Sequence, residues 1–430
     1  MIKVIHVNAS DNFGGAARAA YRIHRALVEH TSSYDLTSTM RVIQQFSTEP
    51  AVIAGSPCSQ SPLWRRLQPR LTQRCYKGFQ TNNFSLHSVA WPNTGLGREL
   101  SKSDADIIHL HWLGNSTLSI EEIGQLKKPI IWRLPDMWAF CGAEHYTYDA
   151  AIDQRYIEGY YTNNRPSWEK GKDLNRWVWE RKYRAWKSPI QIVCTTQWMV
   201  QCVRRSLLMR EWPISIIPNC LDLNNFAPLN SFLARQLLNL PNDRPLILFG
   251  AIGGMTDPRK GADLLLLALQ RLQQKVEDST LANLELVIFG QSQPAQPPRL
   301  GFPIHYVGRL QDDLSLRLLY AAADVMVVPS RQEAFGQTAS EAQACGTPVV
   351  AFRTGGLVDV VDDRVTGVLA DPFDPESLAQ AIHWVLADRE RQQKLREQAR
   401  SRAEKLWNPA IVAAAYTELY QQAIAERTSL

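Results

Sequence analysis

Short, continuously apolar runs alternate along the chain with longer stretches in which apolar residues recur at helical spacing. The apolar runs predict strands at Lys3–Val7, Ile107–His111, Ile130–Leu134, Gln191–Thr195 and Ser215–Ile217. A second series follows at Leu246–Gly250, Glu285–Phe289, His305–Val307, Val325–Val328 and Val349–Phe352. Runs that are apolar throughout, rather than alternating, belong to strands covered on both faces of a parallel sheet. The helical spacing predicts helices at Ala16–Glu29, Gly261–Val276, Leu314–Ala323, Pro375–Ala387 and Asn408–Ile424. Strand and helix in alternation make an α/β protein of two doubly wound domains. Pro218, Pro228 and the turn Pro241–Pro245 place the junction between Pro218 and Pro241, giving an N-terminal domain 1–230 and a second domain from 231. Doubly wound domains bind ligands beyond the carboxyl ends of their strands, so candidate chemistry is sought there and in a cleft between the domains.

Composition narrows the class without changing this picture. At 430 residues, 45% hydrophobic and 21% charged, the chain has ordinary globular usage. No apolar run approaches the ~18 residues that span a bilayer, and the first residues look like a strand rather than a signal peptide. Seven scattered cysteines (58, 75, 141, 194, 202, 220 and 345) form no Cys-x-x-Cys pair. A reducing cytoplasm is expected, with neither a disulfide framework nor a zinc site.

The net charge of +5 is uneven: residues 1–230 hold 27 Lys and Arg against 19 Asp and Glu, and residues 231–430 hold 20 against 23. Positive charge gathers in Ser61–Phe79, which has five basic residues and no acid, and in Asn164–Lys187, which has eight against three. Both stretches are interleaved with aromatic or apolar residues. They read either as surfaces for anionic lipid or acidic glycans, or as core tryptophans with a solvated basic rim. So small a net charge, with no recognisable nucleic-acid module, argues against a nucleic-acid partner.

Three segments carry candidate chemistry. Gly14-Gly15 follows the first strand and opens a helix, a geometry that aims backbone N–H groups at an anion. It is not Gly-x-Gly-x-x-Gly, and no phosphate loop of the Gly-x4-Gly-Lys-Ser/Thr type exists, so dinucleotide and nucleoside-triphosphate loops are unsupported. Asp257-Pro-Arg-Lys-Gly261 places Arg259 and Lys260 at a helix start, which suits a diphosphate. The third segment, Pro329–Val350, runs strand, loop, helix, Gly346-Thr-Pro348, strand. It sets Glu333 in the loop and Glu341 down the helix, and carboxylates accept hydrogen bonds from sugar hydroxyls. His109-Leu-His111 could suggest a metal, but no third ligand is evident and packing is the expected role. Asp312-Asp313 and Asp362-Asp363 are not expected to hold Mg²⁺.

The Glu-x7-Glu segment, Arg259-Lys-Gly, Val307-Gly-Arg-Leu and Val360-Val-Asp-Asp-Arg-Val-Thr-Gly367 closely resemble retaining glycosyltransferases of family 4. Val7-Asn-Ala-Ser, Gly14-Gly15-Ala-Ala-Arg and Trp132-Arg-Leu-Pro-Asp136-Met-Trp-Ala-Phe look like the branch that builds exopolysaccharide and lipopolysaccharide-type glycans. The resemblance implies the GT-B fold: two Rossmann-like domains facing across a cleft, the second spanning 231–407, and a C-terminal helix within 408–430 crossing back to the first. It implies that Glu333 contacts the donor sugar and that backbone near Phe335, Gly336, Gln337 and Thr338 holds sugar and phosphate. By the same resemblance Glu341 binds the ribose, Arg259 and Lys260 neutralise the diphosphate, and Gly14-Gly15 closes over donor phosphates or acceptor. Gly308 and Arg309 would lie near the nucleobase.

Two departures bear on the site. Relatives often have His before the Asp of the Leu-His-Asp-Met-Trp segment, where this chain has Pro135, leaving Asp136 and His145 as the polar candidates. Their alternative roles are an Asp capping a turn and a His packed on Tyr146. A second Arg often found after the second domain's first strand is replaced by Ala251. Only Cys141 stands where relatives can carry a cysteine cluster, so no metal is expected there.

The implied reaction moves a sugar from a nucleoside-diphosphate sugar to a glycan or lipid-linked acceptor hydroxyl, with no cofactor and no metal, in the cytoplasm or peripherally on an anionic membrane. Domain closure would exclude water. A nucleotide-sugar epimerase of the same fold and a non-catalytic sugar-nucleotide-binding protein are the alternatives.

Overall fold

A computed structural model describes residues 1–58, 61–148, 152–250, 253–275, 283–310 and 312–428. The chain divides into two units, residues 1–220 with 410–430, and residues 221–409. The sequence cut at 230 thus falls late. Leu221 and Phe226 pack into the second unit's core with Tyr320 and Trp407, and the Leu221 amide donates to the Trp407 carbonyl at 2.9 Å.

Unit one contains β1 (Ile2–Ser10), β2 (Leu36–Gln44), β3 (Val52–Ala54), β4 (Phe79–Thr81), β5 (Ile107–Leu110), β6 (Ile130–Leu134), β7 (Glu169–Gly171), β8 (Gln191–Cys194) and β9 (Ile214–Ile216). Seven of these form a parallel sheet in the order β3-β2-β1-β5-β6-β8-β9, and β4 pairs antiparallel with β7. Unit two contains β10 (Leu246–Gly250), β11 (Glu285–Phe289), β12 (Ile304–Gly308), β13 (Val325–Val328), β14 (Val349–Phe352) and β15 (Gly367–Ala370). Its parallel sheet runs β12-β11-β10-β13-β14-β15. In both sheets the chain winds outward from the first strand, then returns to its other side. The points of reversal lie between β1 and β5 and between β10 and β13, where doubly wound sheets bind ligands.

The central strands of unit two are buried along their whole length, which is why their sequences are apolar throughout. β2 is different. Leu36-Thr-Ser-Thr-Met-Arg-Val-Ile-Gln alternates buried and half-buried positions at its start, so it is not an uninterrupted apolar run and was not predicted. β15 escaped because it has only four residues and opens on glycine. The Ala262–Lys275 helix replaces the expected Gly261–Val276; Val276 lies outside the described residues.

The last helix, Pro409–Thr428, returns to unit one. Val412, Tyr416, Leu419 and Tyr420 fall on one face and pack against Val4, Ile23, Ile107 and Val193. Each such burial contributes about 1.5–3 kcal/mol relative to exposure. The two units therefore build the GT-B fold, with its returning terminal helix. Among the described residues, no helix is long and apolar enough to cross a membrane.

Candidate active site

In unit two the two loops at the β10/β13 reversal are locked together by a glycine. Gly261 has φ 69°, and a Cβ there would stand 1.9 Å from the Pro329 carbonyl oxygen. Only a residue without a side chain lets the loop after β10 pass this close to the loop after β13. The Arg331 amide donates to the Arg259 carbonyl at 2.8 Å, and the Arg331 guanidinium grips Asp263 at 2.8 and 2.6 Å. Arg259 and Lys260 sit in a 3₁₀ turn, Pro258–Lys260, not in the first turn of the following helix.

This packing brings Lys260 and Glu333 together. Lys260 Nζ stands 2.5 Å from Glu333 Oε1, and the Ser330 hydroxyl donates to the same oxygen at 3.1 Å. Arg259 lies 3.7 Å from Glu333 Oε2 and donates to the Gln332 carbonyl at 3.0 Å and to Asp257 at 3.1 Å. Burial pushes the Glu333 carboxyl up, but Lys260 and then Arg259 outweigh it and hold its pKa below the usual carboxylate value. Burial pulls the Lys260 ammonium down, and Glu333 restores only part of that. The two cations thus already face two carboxylates, Glu333 and Asp257.

The backbone around Glu333 is equally constrained. Its carbonyl accepts the Gly356 amide at 2.7 Å, and a Cβ on Gly355 would lie 2.7 Å from that oxygen. Sequence reasoning missed the Thr354-Gly-Gly turn; its signal was a glycine pair two residues past an apolar strand. Gly336, at φ 91°, caps the helix Gln337–Ala344 and would place a Cβ 2.6 Å from Leu357. Gln337 and Thr338 open that helix, where the first amides have no intrahelical acceptor. The Phe335 side chain is instead core, edge-on to Trp407 at 6.1 Å, so only its backbone is available to a ligand.

Glu341 is 4% exposed and accepts the Tyr320 hydroxyl at 2.9 Å on Oε2. Gly308 and Arg309 close β12, the edge strand, so two strands separate them from β13. Gly308 has φ 71° with nothing within 4 Å of a Cβ, and Arg309 is exposed. Ala251 lies outside the described residues.

In unit one, Gly14 has φ 90° and caps the Gly15–Glu29 helix beside open space. Asp11, fully buried, accepts the amides of Phe46 and Ser47 at 2.8 Å each and so fastens this loop to the chain after β2. Asp136 and His145 meet beyond β6: His145 Nδ1 lies 2.6 Å from Asp136 Oδ2, and its Nε2 lies 2.8 Å from the Ser88 hydroxyl. Trp112 Nε1 donates to Asp136 at 2.9 Å, and the Trp138 amide donates to its other oxygen at 3.0 Å. Asp136 therefore does cap a turn, while His145 packs between Trp112 and Trp138. Lys182 supports this loop from beneath, donating to the carbonyls of Trp138, Cys141 and Gly142 with no solvent exposure. Burial lowers its pKa to about 7.

The two basic stretches separate. In Asn164–Lys187, Trp179 and Trp186 are buried and Arg181 pairs with Glu121 at 2.7 Å, while Lys170, Lys172, Arg184 and Lys187 are exposed. In the helix Pro62–Tyr76, Leu63, Arg66, Leu67, Arg70 and Arg74 are exposed. One expectation needs correcting: His109 and His111 do have a third imidazole beside them, that of His6.

Residues 233–402 match the family model described as "Glycosyl transferases group 1". The matched segment lies wholly within unit two. A D-inositol 3-phosphate glycosyltransferase of Xylanimonas cellulosilytica is 38% identical over 231 residues, 50% of this chain and 52% of that protein. Its counterpart in Geodermatophilus obscurus is 40% identical over 187 residues, 41% of this chain and 40% of that protein. The chain thus matches about half the length of these relatives or less. Solved structures resemble the whole chain. Sucrose-phosphate synthase of Thermosynechococcus elongatus superposes with a TM-score of 0.67 at 20% identity, covering 99% of this chain and all of that one (100%). HepE of Anabaena, solved with UDP and glucose, gives 0.64 at 16% identity, covering 98% of this chain and 100% of HepE. Arg259, Lys260, Glu333 and Glu341 all lie within the segment that matches this family model.

Proposed function

We propose that the protein transfers a glycosyl group from a nucleoside-diphosphate sugar to an acceptor hydroxyl, with retention at the anomeric carbon, in polysaccharide or glycolipid synthesis. The observation that carries this reading is the Lys260–Glu333 pair at the β10/β13 reversal, a cation for a departing phosphate beside an acceptor for sugar hydroxyls. The bond between the anomeric carbon and the diphosphate breaks, and one from that carbon to the acceptor oxygen forms on the same face. The acceptor's proton passes to the leaving phosphate oxygen. Negative charge grows on the diphosphate as the sugar becomes oxocarbenium-like. Arg259, Lys260 and the amides at Gly336–Thr338 stabilise it, the preorganised electrostatics that dominates much of catalysis.

Glu333 orients the sugar, and Glu341, steadied by Tyr320, takes the ribose hydroxyls. Asp136 and His145 of unit one act on the acceptor, and Gly14-Gly15 opens that unit's first helix. The reaction as written assigns the leaving-group charge to protein cations and takes no metal. We place it in the cytoplasm, with the exposed face of Pro62–Tyr76 meeting anionic lipid.

The test is thermal shift with UDP, GDP, ADP and dTDP, UDP first because HepE was solved with it. Release of nucleoside diphosphate from the matching sugar conjugate is then followed with and without acceptor. Stabilisation by one nucleotide, lost in Glu341→Ala, supports the reading; no stabilisation by any of the four in the parent overturns it.

A further inference from the structure

We propose that His6, His109 and His111 form a binding site for one divalent transition-metal ion of the zinc class, built into the core of unit one. His6 on β1 and His109 on β5 are direct register partners across the sheet, and His111 follows the end of β5. None is more than 1% exposed, and one ring nitrogen from each lies within 4.8 Å of the others.

The hydrogen-bond ledger of this cluster does not close. His24 Nδ1 reaches the Ser38 hydroxyl at 2.8 Å, His109 Nδ1 the Tyr420 hydroxyl at 2.7 Å, and His6 Nδ1 meets His111 Nε2 at 2.9 Å. That leaves Nε2 of His6, His24 and His109, and Nδ1 of His111, buried with no partner. An unsatisfied buried polar group costs about 1–3 kcal/mol, and native interiors hold few of them. Of these, His109 Nε2 is the one that an ion held by the three rings would satisfy. The fold itself does not ask for histidine here: the corresponding pairs between β10 and β13 are Ile247 with Val325 and Leu248 with Met326.

The chemistry suits a borderline metal. Ligating imidazole must be neutral, and these three rings bond to one another or to the Tyr420 hydroxyl rather than to a carboxylate. Tyr420 occupies Nδ1 of His109 and leaves Nε2 as its ligand atom, the outer hydrogen bond that metal-bound histidines usually make. His6 Nδ1 and His111 Nε2 share one proton at 2.9 Å. Two nitrogens bound at ~2.0–2.1 Å to a tetrahedral ion stand ~3.3 Å apart, so the His6–His111 pair opens by a few tenths of an ångström and its shared proton moves to one ring's outer nitrogen, while the His109 nitrogen, within 4.8 Å of the others, closes in by as much as ~1.5 Å. An all-nitrogen set selects zinc, cobalt, nickel or copper over calcium or magnesium. Arg133, buried nearby and bonded to Asn219 at 3.0 and 2.6 Å, opposes the ion's charge and sets a limit on its affinity.

Tag-free protein from zinc-supplemented medium, dialysed against EDTA, should retain about one zinc per chain by mass-spectrometric metal analysis, because the rings are closed to solvent. Cobalt introduced by refolding should give the visible absorption of a nitrogen-ligated tetrahedral ion. Retained zinc should fall to background in His6→Val/His109→Val that folds by circular dichroism. Tyr420→Phe, which leaves the ligands intact, should keep the ion but lose it to EDTA about 10–100-fold faster. Parent protein that holds no zinc as purified, and takes up none on refolding with zinc, overturns the proposal whatever the variants do. So does zinc content unchanged in the folded double variant.

Discussion

The two units wind their sheets in the same order around the first strand, yet they place polar chemistry at different depths. In unit two the strands flanking the reversal are apolar, and charge begins only past their ends, at Lys260 and Glu333. In unit one polar residues enter the strands themselves, with His6 facing His109 in register and Asn8, further along β1, accepting the Trp112 amide on Oδ1 at 2.7 Å, and they continue past the strand ends to Asp136. The shared topology determines where a site can be built. Residue choice then decides between a cluster past the strand ends, as in unit two, and one buried between the strands, as in unit one. The contrast also separates electrostatic regimes. Glu333 offsets part of what burial does to the Lys260 ammonium, whereas burial together with neighbouring cationic or imidazole groups lowers the pKa of His6, His109 and His111 well below the usual imidazole value.

The largest expected effect falls on the unit-two pair. Lys260→Ala should lower turnover by ~10²–10³, the scale for losing one stabiliser of developing charge. It should also leave Glu333 without its 2.5 Å partner. Product release within a few-fold of the parent would remove Lys260 from the leaving-group role. Next come the loops after the first strands. Gly261→Ala should destabilise unit two by about 2–3 kcal/mol, combining left-handed strain with collision against the Pro329 carbonyl. Gly14→Ala meets no atom within 4 Å and should cost only the strain, about 1–2 kcal/mol. Urea unfolding of both variants checks the difference, and equal losses would break the comparison. Tyr320→Phe should weaken nucleoside-diphosphate binding about tenfold, the lower end for a hydrogen bond to a charged group. Calorimetry showing unchanged affinity would separate Glu341 from the ribose.

Legibility followed the same divide. The unit-two strands could be read because both faces are covered, which leaves an unbroken apolar run, and the sequence motif placed Arg259, Lys260 and Glu333 among the candidates. Their contact could not be read from spacing, since Lys260 and Glu333 are 73 residues apart. In unit one the polar partners are equally remote: His145 meets Ser88 across 57 residues, His6 meets His111 across 105, and Asp11 holds Phe46 across 35. Each of these looks locally like an ordinary strand or loop residue. β2 was lost because one edge of the sheet is only half covered, so its threonines blur the pattern. Phe335 shows a finer limit, because the motif identifies a position without saying whether backbone or side chain faces the ligand.

The smallest effects should distinguish the two basic stretches, which are alike in sequence but not in structure. On the Pro62–Tyr76 helix, Arg66 and Arg70 are exposed beside Leu63, which is 67% exposed, so cations and an apolar side chain share accessible surface. In Asn164–Lys187 Arg181 pairs with Glu121 and Lys182 with backbone carbonyls, and the buried Trp179 and Trp186 leave the exposed cations without an exposed tryptophan beside them. A juxtamembrane cation contributes about 1 kcal/mol toward an anionic surface. Arg66→Gln and Arg70→Gln should therefore each weaken binding to phosphatidylglycerol vesicles about fivefold, an effect that fades with added salt. Arg184→Gln, on the outer face of the second stretch and already paired with Glu180 at 3.2 Å, should change it little. Cosedimentation that ranks Arg184 with Arg66 would show that net charge, not the exposed apolar face, governs attachment. The distinction between the stretches would then be one of folding alone.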